Sequence, residues 1–251
     1  MPTLEENLSY WQTYNWSDGG EEWTRGFGGP DLLWSGVVYP RVRAYLPAEH
    51  VLELAPGHGL WTEFLRPKAK RMTLVDLAPV CIEACQKRYG DEGMTYHVND
   101  GRDLSMVPDE SIDFCFSLHS LVHAEADVME AYVRQLARVL TPGGMAFLHH
   151  SNIEPYIEHF DTSGPQPDRN EHWRGRDMSG EKMLGFVEEA GMTTLVQERI
   201  KWGGPHLIDA YTLFGRMPSI EGGANVFDNP EFWPRVGQTK VTAEVYAGVR
   251  R

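Results

Sequence analysis

Four histidines carry the most versatile chemistry in this chain: His119 and His123 in SLHSLVH, and His149 and His150 in FLHHSN. Imidazole titrates near neutral pH and is a common metal ligand, so such a group can take a proton from a hydroxyl or hold a cation. A second constellation lies upstream. Gly57 and Gly59 follow the apolar run VLEL, Glu53 stands four positions before Gly57, and Asp76 closes the run MTLVD. Glycine lets a backbone turn sharply beside a ligand, and the helix start that follows offers unpaired N–H groups. A carboxylate at the end of the next strand can accept both hydroxyls of a ribose. Asn99-Asp100-Gly101, after TYHV, adds an acid and an N–H suited to an adenine edge, and reads equally as a plain turn.

Such groups act together only if a scaffold gathers them. From residue 51 to 216 the chain repeats a short apolar run, a turn and an amphipathic stretch, the pattern of βαβ units around a parallel sheet. The strands are expected at VLELA, MTLVD, TYHV, IDFCFS, GMAFLHH, TLVQERI and LIDAYTLFG. Helices are expected over residues 61–65, 78–89, 126–140 and 179–190, with Ser179 as N-cap. The last two strands are joined only by KWGGPH, too short for a crossover helix and suited to an antiparallel hairpin. The expected fold is therefore α/β: a Rossmann-like, doubly wound seven-stranded sheet, mostly parallel, with an antiparallel C-terminal hairpin. Ligands of such sheets bind beyond the carboxyl ends of the strands, where SLHSLVH and FLHHSN fall. Consecutive strand residues point to opposite faces, so His149 and His150 share a partner only where the strand has already ended.

Three parts follow: a cap over residues 1–50, the sheet domain over 51–216 and an extension over 217–251, packed on the core or on a second copy in a homodimer. The cap holds Trp11, Trp16, Trp23 and Trp34 among glycines and reads as a cover, not a helix-rich domain. The extension ends in VTAEVYAGV, read as an extra strand. The polar stretch 153–177, with Pro155, Pro165 and Pro167, reads as a long loop at the sheet edge.

Composition narrows the partners. Acidic residues outnumber basic ones 36 to 23, for a net charge of -13, which argues against a nucleic-acid partner. No apolar run reaches the roughly 20 residues needed to span a bilayer. The N-terminal MPTLEENLSYWQTYNW has no basic region ahead of an apolar one, so the expected setting is cytoplasmic, with no membrane partner. Cys81, Cys85 and Cys115 lack metal or redox spacing and read as packing residues.

The ordered set ELAPGHG, LVDLA, NDG, SIDFCFSLHSLVH and LTPGGMAFLHHSN resembles class I S-adenosylmethionine-dependent methyltransferases over about two thirds of the chain. The terminal hairpin matches that family and not the dehydrogenases. Thr62 also stands where the third glycine of a dinucleotide GxGxxG loop would fall. The resemblance implies S-adenosylmethionine as cofactor. Its amino-acid part would lie on Glu53, Gly57 and Gly59, its ribose on Asp76, and its adenine beside Asp100 and Gly101. Leu77, Ser117, Tyr14 and Trp23 are counted with these. The wording SIDFCFSLHSLVHAEADV and GMAFLHHSN is similar to bacterial enzymes of glycan and glycoside modification, which implies a sugar hydroxyl as acceptor.

Related sugar O-methyltransferases hold a divalent metal on acids at the strand ends, where this chain has His119, His149 and His150. Magnesium prefers oxygen ligands, so a cation there, Mg2+ or another, departs from that pattern. The expected activity is O-methylation of a small polar acceptor, a sugar or glycoside first. His150, His119 or His149 would act as base, and His123, Asn152, Trp16 and Asp209 would hold the acceptor. Transfer to a nitrogen or phenol of another natural product is the rival enzyme reading, and a non-catalytic S-adenosylmethionine-binding protein the rival outside catalysis.

Overall fold

A computed structural model describes residues 3–160, 174–202 and 204–248. Among the described residues eight strands form one sheet: β1 (Ala48–Leu54), β2 (Ala69–Asp76), β3 (Met94–Val98), β4 (Ile112–Ser117), β5 (Leu140–Ser151), β6 (Thr193–Ile200), β7 (Asp209–Gly215) and β8 (Asn225–Asn229). Their order is β3-β2-β1-β4-β5-β7-β6-β8. β1 to β5 pair in parallel, and β7 inserts antiparallel between β5 and β6. The hairpin expected at TLVQERI and LIDAYTLFG is present.

β4 reads IDFCFS because it is covered on both faces: Phe114 and Phe116 enter one core, and Cys115 the other. The helices are α1 (Leu4–Thr13), α2 (Pro30–Leu33), α3 (Tyr39–Val42), α4 (Thr62–Leu65), α5 (Pro79–Tyr89), α6 (Ala126–Val139), α7 (Gly180–Glu189) and α8 (Phe232–Gly248). α6 buries Met129, Tyr132, Val133 and Leu136 on one stripe, with the three-and-four spacing that seats a helix on a sheet. Ser179 caps α7 by accepting from the Lys182 N–H. Cys81, Cys85 and Cys115 are buried free thiols.

Three expectations need correction. The sheet has an eighth strand, β8, parallel to β6, which only five mostly exposed residues mark in the sequence. Of VTAEVYAGV, residues 241–248 are the end of α8 and not a strand; Val241 and Val245 stand four apart, a helical repeat mistaken for alternation. The first fifty residues are largely helical, starting with a capping box in which Thr3 and Glu6 satisfy each other's backbone N–H. β1 also starts at Ala48, inside the stretch assigned to the cap. In the polar loop, 154–159 form a short 3-10 helix. The expectation resting on Pro165 and Pro167 lies outside the described residues.

Candidate active site

At the carboxyl ends of β1, β2 and β4 opens a cavity of about 480 Å³. Its first end is made of turns. Beyond β1 the chain runs Ala55-Pro56-Gly57-His58-Gly59 with φ of +53° at Ala55, +56° at Gly57 and +80° at Gly59. Asp76, at the end of β2, accepts from the Gly57 N–H at 3.1 Å and the Ala78 N–H at 2.9 Å, tying the loop to the next strand. Burial pushes its carboxyl up to about 6. Each carboxylate oxygen has a second lone pair, so Asp76 keeps acceptor capacity toward the cavity it lines.

The neighbouring residues divide between cavity and support. Gly57, Leu77 and Gly101 line the cavity. Glu53 sits beneath the loop, accepting from the Thr62 hydroxyl at 2.6 Å, and burial pushes it up to about 8. Thr62, out of place in a dinucleotide loop, thus anchors this one. Gly59 faces inward, where a Cβ would stand 2.7 Å from the Tyr89 ring. Asp100 is exposed and accepts from the Arg102 and Asp103 N–H groups, so it shapes its own turn instead of facing the cavity. Ser117 is fully buried outside the lining, its hydroxyl unpartnered among the described residues.

The N-terminal segment covers this end at three points. Leu4 lies over Gly101, where a Cβ would come 2.5 Å from its methyl. Asn7 donates to the His123 carbonyl at 3.1 Å, and the Trp11 ring lies 5.4 Å from the His123 ring. The Trp16 ring stacks on His58 at 4.4 Å and 10°, above Gly57. Tyr14, whose hydroxyl donates to Glu22 at 2.8 Å, stacks on Trp23, and both line the cavity.

The second end is made of side chains. The His119 backbone takes the left-handed turn, φ +67°, which costs a residue with a Cβ about 1–2 kcal/mol. Its ring lies among Trp202 at 5.0 Å, Trp61 at 5.5 Å, His149 at 5.6 Å and Phe27 at 6.2 Å. Its Nε2 is buried with no hydrogen-bond partner among the described residues. Burial first, and then the neighbouring imidazole of His149, hold its conjugate acid well below the usual histidine range, so the ring is neutral.

His149 shares the sheet face of Phe147 and is engaged at both nitrogens: Nδ1 accepts from the His119 N–H at 3.2 Å, and Nε2 meets Asp209 Oδ2 at 3.1 Å. Asp209 is bound by the Arg174 guanidinium at both oxygens, Nη2 to Oδ2 at 2.9 Å and Nε to Oδ1. Burial alone would raise the Asp209 carboxyl, but the Arg174 charge and the His149 and Arg174 hydrogen bonds outweigh it and hold it below the usual carboxylate range.

Two expected site residues point elsewhere. His150 faces the opposite side of β5, its Nδ1 donating to the Ser151 carbonyl at 2.8 Å and its Nε2 accepting from Thr212 at 2.7 Å; burial pushes it down to about 4. Asn152 donates to the Leu207 carbonyl and accepts from the Gly180 N–H, a joint between segments. Asp209 itself stays behind His149, outside the lining. The three imidazoles expected to converge on a metal do not. Among the described residues no group of three or more His, Cys, Asp or Glu side chains could hold one. Sequence reasoning missed Trp61, Trp202 and His58, which line the cavity from a helix start, a loop and the glycine turn. Only the aromatic types at strand ends could have pointed to them.

Residues 51–144 match the family described as Methyltransferase domain. Malonyl-[acyl-carrier protein] O-methyltransferase of Serratia marcescens is 34% identical over 101 residues, 39% of this chain and 37% of that protein. Ubiquinone biosynthesis O-methyltransferase of Xanthomonas campestris is 29% identical over 119 residues, 47% of this chain and 49% of the relative. The chain thus spans half or less of the length of these curated relatives. Among solved structures, DhpI in complex with SAH superposes with a TM-score of 0.55 at 23% identity, covering 86% of this chain and 97% of that one. The shared fold is the Rossmann-like methyltransferase fold.

Proposed function

From the premise of a methyltransferase domain at residues 51–144, we propose that the chain binds S-adenosylmethionine and transfers its methyl group to an oxygen of a small polar acceptor. The observation that carries this reading is the single cavity running from Asp76, Gly57 and Gly101 to His119, whose Nε2 has no partner among the described residues. The donor set fits the cofactor: an acceptor carboxylate in the wall, open turns at Gly57 and Gly101, and aromatic rings above. Asp76 would hold the ribose hydroxyls, with Leu77 and Gly101 beside the adenine and the Ala55–Gly57 turn beside the amino-acid part.

When bound, S-adenosylmethionine supplies a methyl group on a positively charged sulfur. The chain's residues do the rest. The aromatic cover excludes water, and the cavity walls hold the acceptor oxygen in line, where orientation supplies much of the acceleration. The His119 imidazole would take the proton of an acceptor hydroxyl held in line with the methyl group that the cofactor would supply. No step runs through a metal, because His149 is engaged at both nitrogens and His150 lies on the other face.

A sugar or glycoside is the first acceptor class in this reading, since the faces of Trp61 and Trp202 suit a ring stacked beside His119. The apolar enclosure of His119 by Phe27, Trp61 and Trp202 favours a phenol as the second. The N-terminal segment is proposed as a lid, since Leu4, Asn7 and Trp16 each seal a different loop of the site. Calorimetric titration with S-adenosylmethionine and S-adenosylhomocysteine, with and without chelator, tests the cofactor; labelled methyl transfer to a panel of glycosides and phenols tests the acceptor. Micromolar binding indifferent to chelator, with label in an acceptor, is the expected result. Binding without turnover on any acceptor would favour a non-catalytic binding protein, and no binding would end the reading.

A further inference from the structure

Beside the cavity runs a buried chain of contacts, Arg174 to Asp209, Asp209 to His149, and His149 to the His119 backbone N–H, in which Arg174 and His149 also line the cavity and Asp209 lies behind them. Arg174, Asp209 and His149 are all 5% exposed or less. The polar atoms fix the proton positions. The His119 N–H can only donate, so His149 Nδ1 accepts and is bare. The Asp209 carboxylate can only accept, so His149 Nε2 carries the hydrogen. One tautomer of a neutral ring satisfies both neighbours.

The residue at the end of this chain is the strained one. His119 holds φ +67° despite its Cβ; the residue lines the cavity, and its buried Nε2 has no hydrogen-bond partner among the described residues. Backbone strain of this kind persists only where surrounding contacts over-determine it. Sheet order makes those contacts: β5 lies between β4, which leads into His119, and β7, which starts with Asp209.

We propose that Arg174, Asp209 and His149 are positioning residues whose joint effect is to lock the His119 backbone in its left-handed turn and so present the His119 imidazole to the acceptor oxygen. Of these four residues, His119 is the one that takes the proton. This rests on the methyl-transfer reading for the identity of the oxygen, and on the hydrogen-bond geometry for the rest.

Asp209→Asn breaks the chain through a proton. Arg174 claims the amide oxygen, leaving the amide N–H facing His149 Nε2. The ring must then carry its hydrogen on Nδ1, against the His119 N–H, donor against donor. The test uses protein labelled with nitrogen-15 in histidine and in the backbone, read by NMR at about pH 7, where an ordinary imidazole is mostly neutral. In the unliganded wild type, His149 is expected as the neutral Nε2–H tautomer. In Asp209→Asn it is expected as Nδ1–H, with the His119 backbone amide and ring signals displaced and S-adenosylhomocysteine affinity within about threefold of wild type. On an acceptor found by the panel, kcat falls about 10²-fold or more with little change in the KM for S-adenosylmethionine, the split a wrong tautomer behind a base produces.

A wild-type His149 that is protonated, or carries its hydrogen on Nδ1, overturns the proposal without any variant, which also decides the matter should Asp209→Asn fail to fold. A changed His149 tautomer with unmoved His119 signals overturns it as well. Failure of wild type to bind S-adenosylhomocysteine would instead strike the methyl-transfer reading, and is told apart because the tautomer is read on unliganded protein.

Discussion

The two ends of the cavity are built differently. At the Asp76 end, backbone N–H groups meet carboxylates and amides close in sequence: Asp76 with Ala78 two residues on, Asn99 with Gly101 two residues on, and Asp76 with Gly57 nineteen residues back. At the His119 end, side chains from distant strands meet, His119 with His149 thirty residues apart, Arg174 with Asp209 thirty-five apart and His149 with Asp209 sixty apart. The first end is a set of turns that any β–α unit could make. The second exists only because β4, β5 and β7 are neighbours in the sheet. A site can therefore bind with local structure and react with long-range structure, and the two properties should separate under mutation.

The largest separation is expected from His119→Ala, which removes the cavity-lining imidazole that stands beside His149, with an Nε2 that lacks a partner among the described residues. The rate of methyl transfer should fall by roughly 10²–10⁴-fold, the contribution of a positioned acid–base group, while S-adenosylhomocysteine affinity by calorimetry changes little. A comparable loss of affinity would mean that the two ends are one. Asp76→Ala should do the reverse. Two hydrogen bonds to a charged group at about 1.5 kcal/mol each correspond to roughly 10²-fold weaker cofactor binding. The melting temperature should show whether the Gly57 turn survives.

Acidity provides a gentler probe of the same end. The folded Asp76 carboxyl titrates at about 6, above its ordinary 3.8. In the unliganded protein this favours the protonated form: the stability it contributes is fully present below 3.8 and is lost as pH rises through about 6. A ribose needs the ionised form, so affinity should weaken about tenfold per pH unit below 6 and level off above it, in calorimetry between about pH 5 and 8. Glu53, held near 8, stays protonated across the lower part of that range and does not mask the effect. An affinity flat through pH 6 would show that Asp76 does not meet the cofactor. The smallest effect is expected from Trp16→Ala. One aromatic stack is worth about 0.5–1.5 kcal/mol, so S-adenosylhomocysteine should bind roughly threefold to tenfold more weakly if the segment closes over the ligand, and unchanged if it is only packing.

How much of this could be read from residues follows the same division. The glycine turn, Asp76 and the Asn99–Gly101 turn were legible as turns because their partners lie a few residues away or within one βαβ unit. Asp100 was misplaced in the site because an acid in a turn binds its own backbone as readily as a ligand, and here it meets Arg102 and Asp103. His149 and His150 were indistinguishable by type and neighbours. Their roles diverge because β5 continues to Ser151, one residue past the pair, so the alternation of faces still applies to both. The last turns of α8 were read as a strand because from Val241 on almost every residue is exposed, which gives the helical period little to show.

By itself the sequence determined the βαβ repeat, the parallel sheet ending in a hairpin, and the turns at the carboxyl ends of its first strands, since each depends on the φ/ψ freedom and apolar period of a few adjacent residues. Only the tertiary structure decided that His119 and His149 line the cavity while His150 takes the opposite face, that His149 meets the His119 N–H, and that Leu4, Asn7 and Trp16 lie against Gly101, His123 and His58. Those outcomes depend on which segments become neighbours and which face each side chain takes; in β5 a one-residue change of register would exchange the faces of His149 and His150.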